Sequence, residues 1–454
     1  MFASQTLDRA QRSLVDALDL VGTAAGFELR DATRAVAGLL GVDALHPDPI
    51  AAIGIDAHGS WTVFSDDLSP TLVVHLTAPE LMVAFLDHQR ERGLVTQSVI
   101  VDKTEVFSAT LNGPFKISWA IAGDWMWVHV ALPFAHDDGI SWFTTSHGPH
   151  GAAWAGNWAW AQRAAGAASA AAGVVGFLDL HGAGANAASW LPDAVACAKL
   201  VEPVGRIAVA IEGDEHHVAT RLALDVGSTA SLQSMVLPVP SGWDATAAHA
   251  PIAAQWNLDL TAVRSWLAPC LASAGVDLTR LDEAGVRTAR GVLLDFDPDA
   301  LSGSGAVALD VTRAAFFERL LDRIPMRHML ERGRTFAGVR GSSISIPFGV
   351  TLEYVVEQRR AIAAVGEGTL ARLLAPSEAA TAAIPIAAID IAPPAMSPRA
   401  WTAVLHAVIE QQLSGAPSPA TKRAVERLMH WRDGHLGVTA EPTELVFTLS
   451  GHRR

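Results

Sequence analysis

The chain has 454 residues, half of them hydrophobic and 18% charged, with a formal net charge of −14. That apolar content excludes a largely disordered chain, and the length exceeds what one core usually fills, so two or more domains are expected. The acidic balance argues against a sequence-independent nucleic-acid binder and against docking on anionic membranes, both of which need Lys and Arg to displace counterions from phosphates.

Mean hydropathy is high, at +0.26. Even so, no apolar run reaches the roughly 18 to 20 residues of a membrane span. The longest, Ala164 to Leu178, is mainly Ala and Gly and stops at Asp179. At Met1 there is no basic-then-apolar leader, and Leu7 to Leu20 reads as an amphipathic helix with Arg9, Arg12 and Asp16 interleaved. The expected location is the cytoplasm, or the periplasm or cell envelope if a leader was removed.

Along the chain, segments of period 2 alternate with segments of period 3.6, and similar segments come in the same order twice. After an opening helical stretch, Leu7 to Leu40, Thr71 to Leu76 reads as a strand. Thr77 then reads as the N-cap of a helix with Leu81, Met82, Phe85 and Leu86 on its apolar face and Glu80 at capping-box spacing. Strand character follows at Ser98 to Val101, Phe115 to Ile121 and Trp125 to Leu132. Val174 to Leu180 is a further strand, leading to a helix through Trp190 to Leu200 and a hairpin with arms Arg206 to Ile211 and His217 to Val226.

The second series opens with a helix at Leu260 to Leu271. It continues with a strand at Ala306 to Val311, Thr312 as cap and a helix bearing Phe316, Phe317, Leu320 and Leu321. Strands at Ser343 to Pro347, Thr351 to Val356 and Ala361 to Val365 come next, then a strand from Ile386, helices around Trp401 to Leu413 and Ala420 to Trp431, and arms Leu436 to Ala440 and Leu445 to Leu449. The fold class expected from this pattern is α+β: two diverged copies of a mixed helix and antiparallel-sheet unit, with helices layered on sheets. The domains would be residues 1–236 and 252–454. The linker would be 237–251, where Pro238-Val-Pro-Ser-Gly-Trp-Asp breaks both periodicities.

Chemistry-bearing patterns are sparse. Asp179-Leu-His-Gly-Ala-Gly-Ala-Asn-Ala stands between a strand and a helix, where a dinucleotide-binding turn would sit, but a plain turn uses the same small residues. His136, His147 and His150, with Asp137 and Asp138, offer nitrogen and oxygen donors for a metal, while Asp137-Asp138-Gly139 also reads as a hairpin turn. Glu212-Gly-Asp-Glu-His216-His217 reads as a hairpin tip whose adjacent histidines face opposite sides. Cys197 and Cys270 read as small buried side chains. No cofactor is implied. The unusual local composition is aromatic: Trp119, Trp125, Trp127, Trp142, Trp154, Trp158 and Trp160 crowd one region. Trp125, Trp127 and His129 share one face of their strand and Met126, Val128 and Val130 the other, so either a helix covers the Trp face or that face receives a ligand or partner.

Leu40-Gly-Val-Asp43, the strand-Thr-helix units at Thr77 and Thr312, and the Phe-Leu-Asp-Leu and Ala-Ile-Asp-Ile strands resemble an uncharacterised family of tandem-repeat secreted proteins and lipoproteins of high-GC gliding bacteria. The resemblance implies an envelope location and supplies no catalytic residues. The function expected is a non-catalytic envelope binding or assembly protein that holds a hydrophobic ligand or a protein partner on its Trp-rich surface, through Trp119, Trp125, Trp127, Trp142, Trp154 and Trp158. The alternative is a metal-assisted hydrolase using His136, His147 and His150.

Overall fold

A computed structural model describes residues 2–4, 11, 47–59, 61–66, 69–91, 96–101, 104–110, 116–131, 159–164, 166, 174–179, 204–214, 216–237, 243–248, 250–264, 283–300, 302–322, 329–346, 350–375, 384–409 and 417–454. Two compact units emerge: Met1–Asp179 with Ile207–Leu222, and Leu180–Arg206 with Ala223–Arg454.

In the first unit the strands are β1 (Phe2–Ser4), β2 (Trp61–Asp66), β3 (Ser69–His75), β4 (Thr96–Val101), β5 (Thr104–Thr110), β6 (Lys116–Ala122), β7 (Trp125–Ala131) and β8 (Val174–Asp179). They lie in the order β8-β1-β2-β3-β7-β6-β5-β4, every neighbour antiparallel. Helix α1 (Pro47–Ala52) precedes β2, and α2 (Pro79–Glu91) joins β3 to β4. Met82, Phe85 and Leu86 of α2 pack with Val74, Leu76, Trp119 and Met126 as the core, while Leu81 points to solvent. The Thr77 hydroxyl, read as a helix cap, donates to the carbonyl of Gly54. Strands β9 (Arg206–Gly213) and β10 (His217–Asp225) pair through a turn in which Asp214 accepts the amides of His216 and His217.

The second unit begins with short helices α3 (Ala230–Ser234) and α4 (Trp243–Ala247). Then come β11 (Ile252–Trp256), β12 (Val286–Asp297), β13 (Ser302–Val311), α5 (Ala314–Asp322), β14 (Leu330–Phe336), β15 (Val339–Ile346), β16 (Val350–Glu357), β17 (Arg360–Val365), α6 (Thr369–Leu374), β18 (Ala387–Ile391), α7 (Pro398–Ile409), α8 (Pro419–Leu428), β19 (Trp431–Ala440) and β20 (Glu444–Arg453). The strand order is β20-β19-β18-β11-β12-β13-β17-β16-β15-β14, again antiparallel throughout. Residues 237–251, read from sequence as a linker, contain α4, whose Trp243 is buried in the core beside Ala253, Val355, Ile362 and Leu370.

The expected α+β class with helices layered on sheets is therefore corrected. Of the described residues 53% are strand and 28% helix, and the architecture is an antiparallel, β-rich one with short helices. What recurs along the chain is a strand order rather than a mixed helix–sheet layer: β11-β12-β13-β17-β16-β15-β14, with β18 beside β11, repeats the connections of β1 to β8. The pairs Leu72–Val128, Val128–Trp119 and Trp119–Phe107 correspond, at one constant offset in residue number, to Val307–Ala363, Ala363–Tyr354 and Tyr354–Ser342. Gly54 and Gly285 both adopt positive φ, and each accepts the amide of the threonine after the strand, Thr77 or Thr312.

The physical cause of the correction lies in alanine and glycine. Ile252–Trp256, with two alanines, and Val286–Asp297, with Gly291, carry weak strand propensity, yet side-chain alternation and ladder hydrogen bonds on both flanks hold them extended. No helix among the described residues is long and apolar enough to cross a membrane.

Glu353 on β16 shows how the second unit ties helix to sheet. Its side chain is buried, and its two carboxylate oxygens accept the amides of Gly368 at 3.0 Å and Leu370 at 3.1 Å at the start of α6. These are the orphan donors that open every helix. Glu353→Ala should destabilise the second unit by about 3 kcal/mol, because it strands those amides in the core; denaturant unfolding followed by tryptophan fluorescence measures it.

Candidate functional site

The tryptophan region is divided by the fold. Trp119 is 2% exposed, stacks on Phe107 at 5.8 Å and lies under α2, so it belongs to the core, and its Nε1 has no hydrogen-bond partner among the described residues. Trp125 is 39% exposed and meets the ring of His75 edge-on at 5.2 Å, and His75 in turn contacts Asp56. Trp127 is half-buried. On the same strand, buried His129 lies 2.9 Å through Nδ1 from the Thr71 hydroxyl. Trp142, Trp154 and Trp158, the metal candidates His136, His147 and His150, the glycine turn after Asp179, and Cys197 and Cys270 all lie outside the described residues. Among the described residues no group of three His, Cys, Asp or Glu side chains is placed to hold a metal.

The second unit carries a different apolar feature, which single-strand reading cannot find because each of its strands contributes one residue. Direct register partners align Leu436 (β19), Ile389 (β18), Ala254 (β11), Gly291 (β12), Val307 (β13) and Ala363 (β17) in one row across six strands. Along it Leu436, Ile389 and Val307 are 43%, 45% and 48% exposed. At adjacent strand spacings of about 4.8 Å the row is about 24 Å long.

Two rows flank it. On one side Ile252, Leu293 and Ile391 pack under Met396 and Trp401, at the start of α7. On the other, Trp256 and Val438 pack under Leu232 and Met235 at α3 and under Val263. Helices thus wall the margins of this sheet face and leave its middle open. Over Gly291, Val307 and Ala363, with Ile252, Leu293, Val365 and Leu352 beside them, lies a groove of about 470 Å³.

Side-chain size explains the opening. At the corresponding positions of the first unit stand Val63, Leu72 and Val128, which fill the space; in the second unit Gly291, Val307 and Ala363 leave it free, and further along the row Tyr354 and Ser342 are buried. A Cβ built on Gly291 meets no atom within 4 Å, so the floor there is open rather than tightly packed.

The opposite face of β18, β19 and β20 is polar. Nδ1 of His435 lies 2.6 Å from Oδ1 of its register partner Asp390. Two residues away on the same face, Asp433 Oδ1 lies 2.6 Å from Nδ1 of His452 and also accepts the His452 amide. The hydrogen bond to Asp390 raises the His435 pKa above its ordinary value, outweighing the opposite effect of burial. Burial pushes the Asp433 carboxyl up, but hydrogen bonds from His452 and Arg432 outweigh it and leave the pKa lowered.

No protein-family model and no curated protein matches this chain. Two solved structures match, titled "Structure of crystal form III of TP0453" and "Structure of crystal form IV of TP0453". Each is 10% identical with a TM-score of 0.24; the first covers 50% of this chain and 75% of its own, the second 49% and 95%. Similarity at that level carries nothing about fold or function.

The two pairs should titrate in opposite senses. His435 has a raised folded-state pKa, so its contribution to stability is complete below the ordinary histidine value of 6.5 and lost as pH rises through the shifted value. Asp433 has a lowered one, so its contribution is present above 3.8 and lost as pH falls. Thermal melts across pH should show His435→Gln flattening the alkaline limb and Asp433→Asn the acid limb, with neither variant altering the other limb.

Proposed function

We propose that the protein is a non-catalytic binding protein of the cell envelope that holds an apolar small molecule in the groove of its second unit. The observation that carries this reading is the row Leu436–Ile389–Ala254–Gly291–Val307–Ala363: exposed Leu436, Ile389 and Val307 with a floor of Ala254, Gly291 and Ala363 between and beside them, its margins walled by helices. Soluble proteins bury such surface unless it has an occupant. The envelope part of the reading comes from the family resemblance carried by the strand-Thr-helix units and the two Asp-bearing strands.

Dimensions favour a single alkyl chain as that occupant. The flanking rows sit two residues to either side, about 14 Å apart between Cα lines, and the side chains of Ile252, Leu293 and Trp256 narrow that width. A helix with side chains is about 10–12 Å across and would ride on the walls above the glycine floor. One leaflet of a bilayer holds chains of about 15 Å, half its hydrocarbon thickness, and such a chain fits along the row.

Titrating the full chain with dansyl-undecanoic acid should give saturable fluorescence enhancement. Gly291→Leu, which fills the floor without a clash, should weaken it at least about tenfold while leaving the melting temperature unchanged. No saturable binding, or binding undiminished in both Gly291→Leu and Val307→Glu, would overturn the reading.

A further inference from the structure

On the face of the same strands turned away from the groove lies a half-open pocket of about 420 Å³. One wall is apolar: Trp243 and Ala247 of α4, then Ala250 and Ala253. The other is polar and comes from β11, β18 and β19, with Gln255, Asp390, Asp433 and His435. Register turns the polar side chains away from the groove, since Asp390 and His435 directly follow and precede Ile389 and Leu436 and so point oppositely, while Ala254 borders both spaces.

The polar wall carries the carboxylates of Asp390 and Asp433 beside His435, while the Oε1 of Gln255 accepts from Asn257 Nδ2. With the Nδ1 proton of His435 donated to Asp390 Oδ1, its neutral ring keeps an acceptor lone pair on Nε2. The backbone makes room for that ring: a Cβ on Gly437 would lie 2.6 Å from Nε2. The Asp390 carboxylate is fixed through one oxygen by His435, and Asp433 is fixed by His452 and Arg432, so both negative charges are held in place. The described residues lining this space include neither Lys nor Arg.

We propose that this pocket binds a small organic ammonium ion carrying an apolar body. An ammonium group has three donors and no acceptor, which complements a wall of carboxylates and an imidazole lone pair. Its hydrocarbon part lies against Trp243 and the three alanines. A bare metal ion is disfavoured by geometry, since among the described residues no three such donors converge. A carboxylate ligand meets two fixed negative charges. The site is independent of the groove and of the reading built on it.

The test is isothermal titration of the full chain with n-hexylamine, 1-hexanol and hexanoate at about pH 9, well above the ordinary histidine value because that of His435 is raised, and below the usual range of an alkylammonium. Hexylammonium should bind saturably, and hexanol and hexanoate at least about tenfold more weakly. Asp390→Asn should abolish the preference for the amine. Ala248→Trp, an exposed change at the rim that touches neither carboxylate, should block all three ligands with the melting temperature retained. Gly291→Leu should leave amine binding unchanged. Equal affinity for hexanol and hexylamine, no saturable binding of the amine, or full amine binding in Asp390→Asn would overturn the proposal.

Discussion

Cross-strand register is the constraint on which the rest of the second unit depends. A strand has two faces, and once antiparallel hydrogen bonding fixes which residues stand opposite one another, every side chain is assigned to one side for the whole width of the sheet. In residues 252–454 that assignment carries from β20 to β16 along the row through Leu436 and Ala363, with register shifts only away from it, at Trp431/Asp433 on β19 and at Val286/Thr288 and Leu293/Asp295 on β12. A slip of one residue in β18 would exchange Ile389 with Asp390, placing a carboxylate in the groove and an isoleucine beside His435.

Both sites follow from that assignment. One face collects Leu436, Ile389, Val307 and Val365, and the helices that might have covered them engage only the flanking rows. The other face collects Asp390, His435, Asp433 and His452 in two register-matched pairs, next to the apolar wall built by Trp243. An apolar surface and a polar one are thereby kept on opposite sides of a sheet a single layer thick.

The first unit shows the same connections with the opposite outcome on its corresponding face. Trp119 stacks on Phe107, and Met82, Phe85 and Leu86 of α2 close over them, so that face is a packed core. Substitution of small residues at the matching positions, with the backbone pairing retained, is enough to turn a filled face into an open one, because interiors tolerate few voids and each missing side chain leaves its own volume behind.

Much of the local structure is legible from sequence. Strands β3, β6, β7, β16 and β17 and helices α2, α7 and α8 fall where periodicity places them, since alternation of apolar residues and the 3.6-residue stripe are properties of consecutive residues. Strands β11, β12 and β14 do not declare themselves, because Ala, Gly and Arg carry little strand preference and only pairing on both sides holds them extended. The tryptophans were visible as a cluster, yet the burial of Trp119 and the exposure of Trp125 depended on where α2 docked. Neither the groove nor the Asp390–His435 pocket leaves a local motif: Leu436 and Val307 are far apart in the chain and join one row only through three intervening register partners, Ile389, Ala254 and Gly291. Sequence alone thus determined the acidic, apolar-rich character and the periodic elements, which depend on neighbours along the chain; tertiary structure decided the β-rich class, the open face and the paired carboxylates, which depend on neighbours across it.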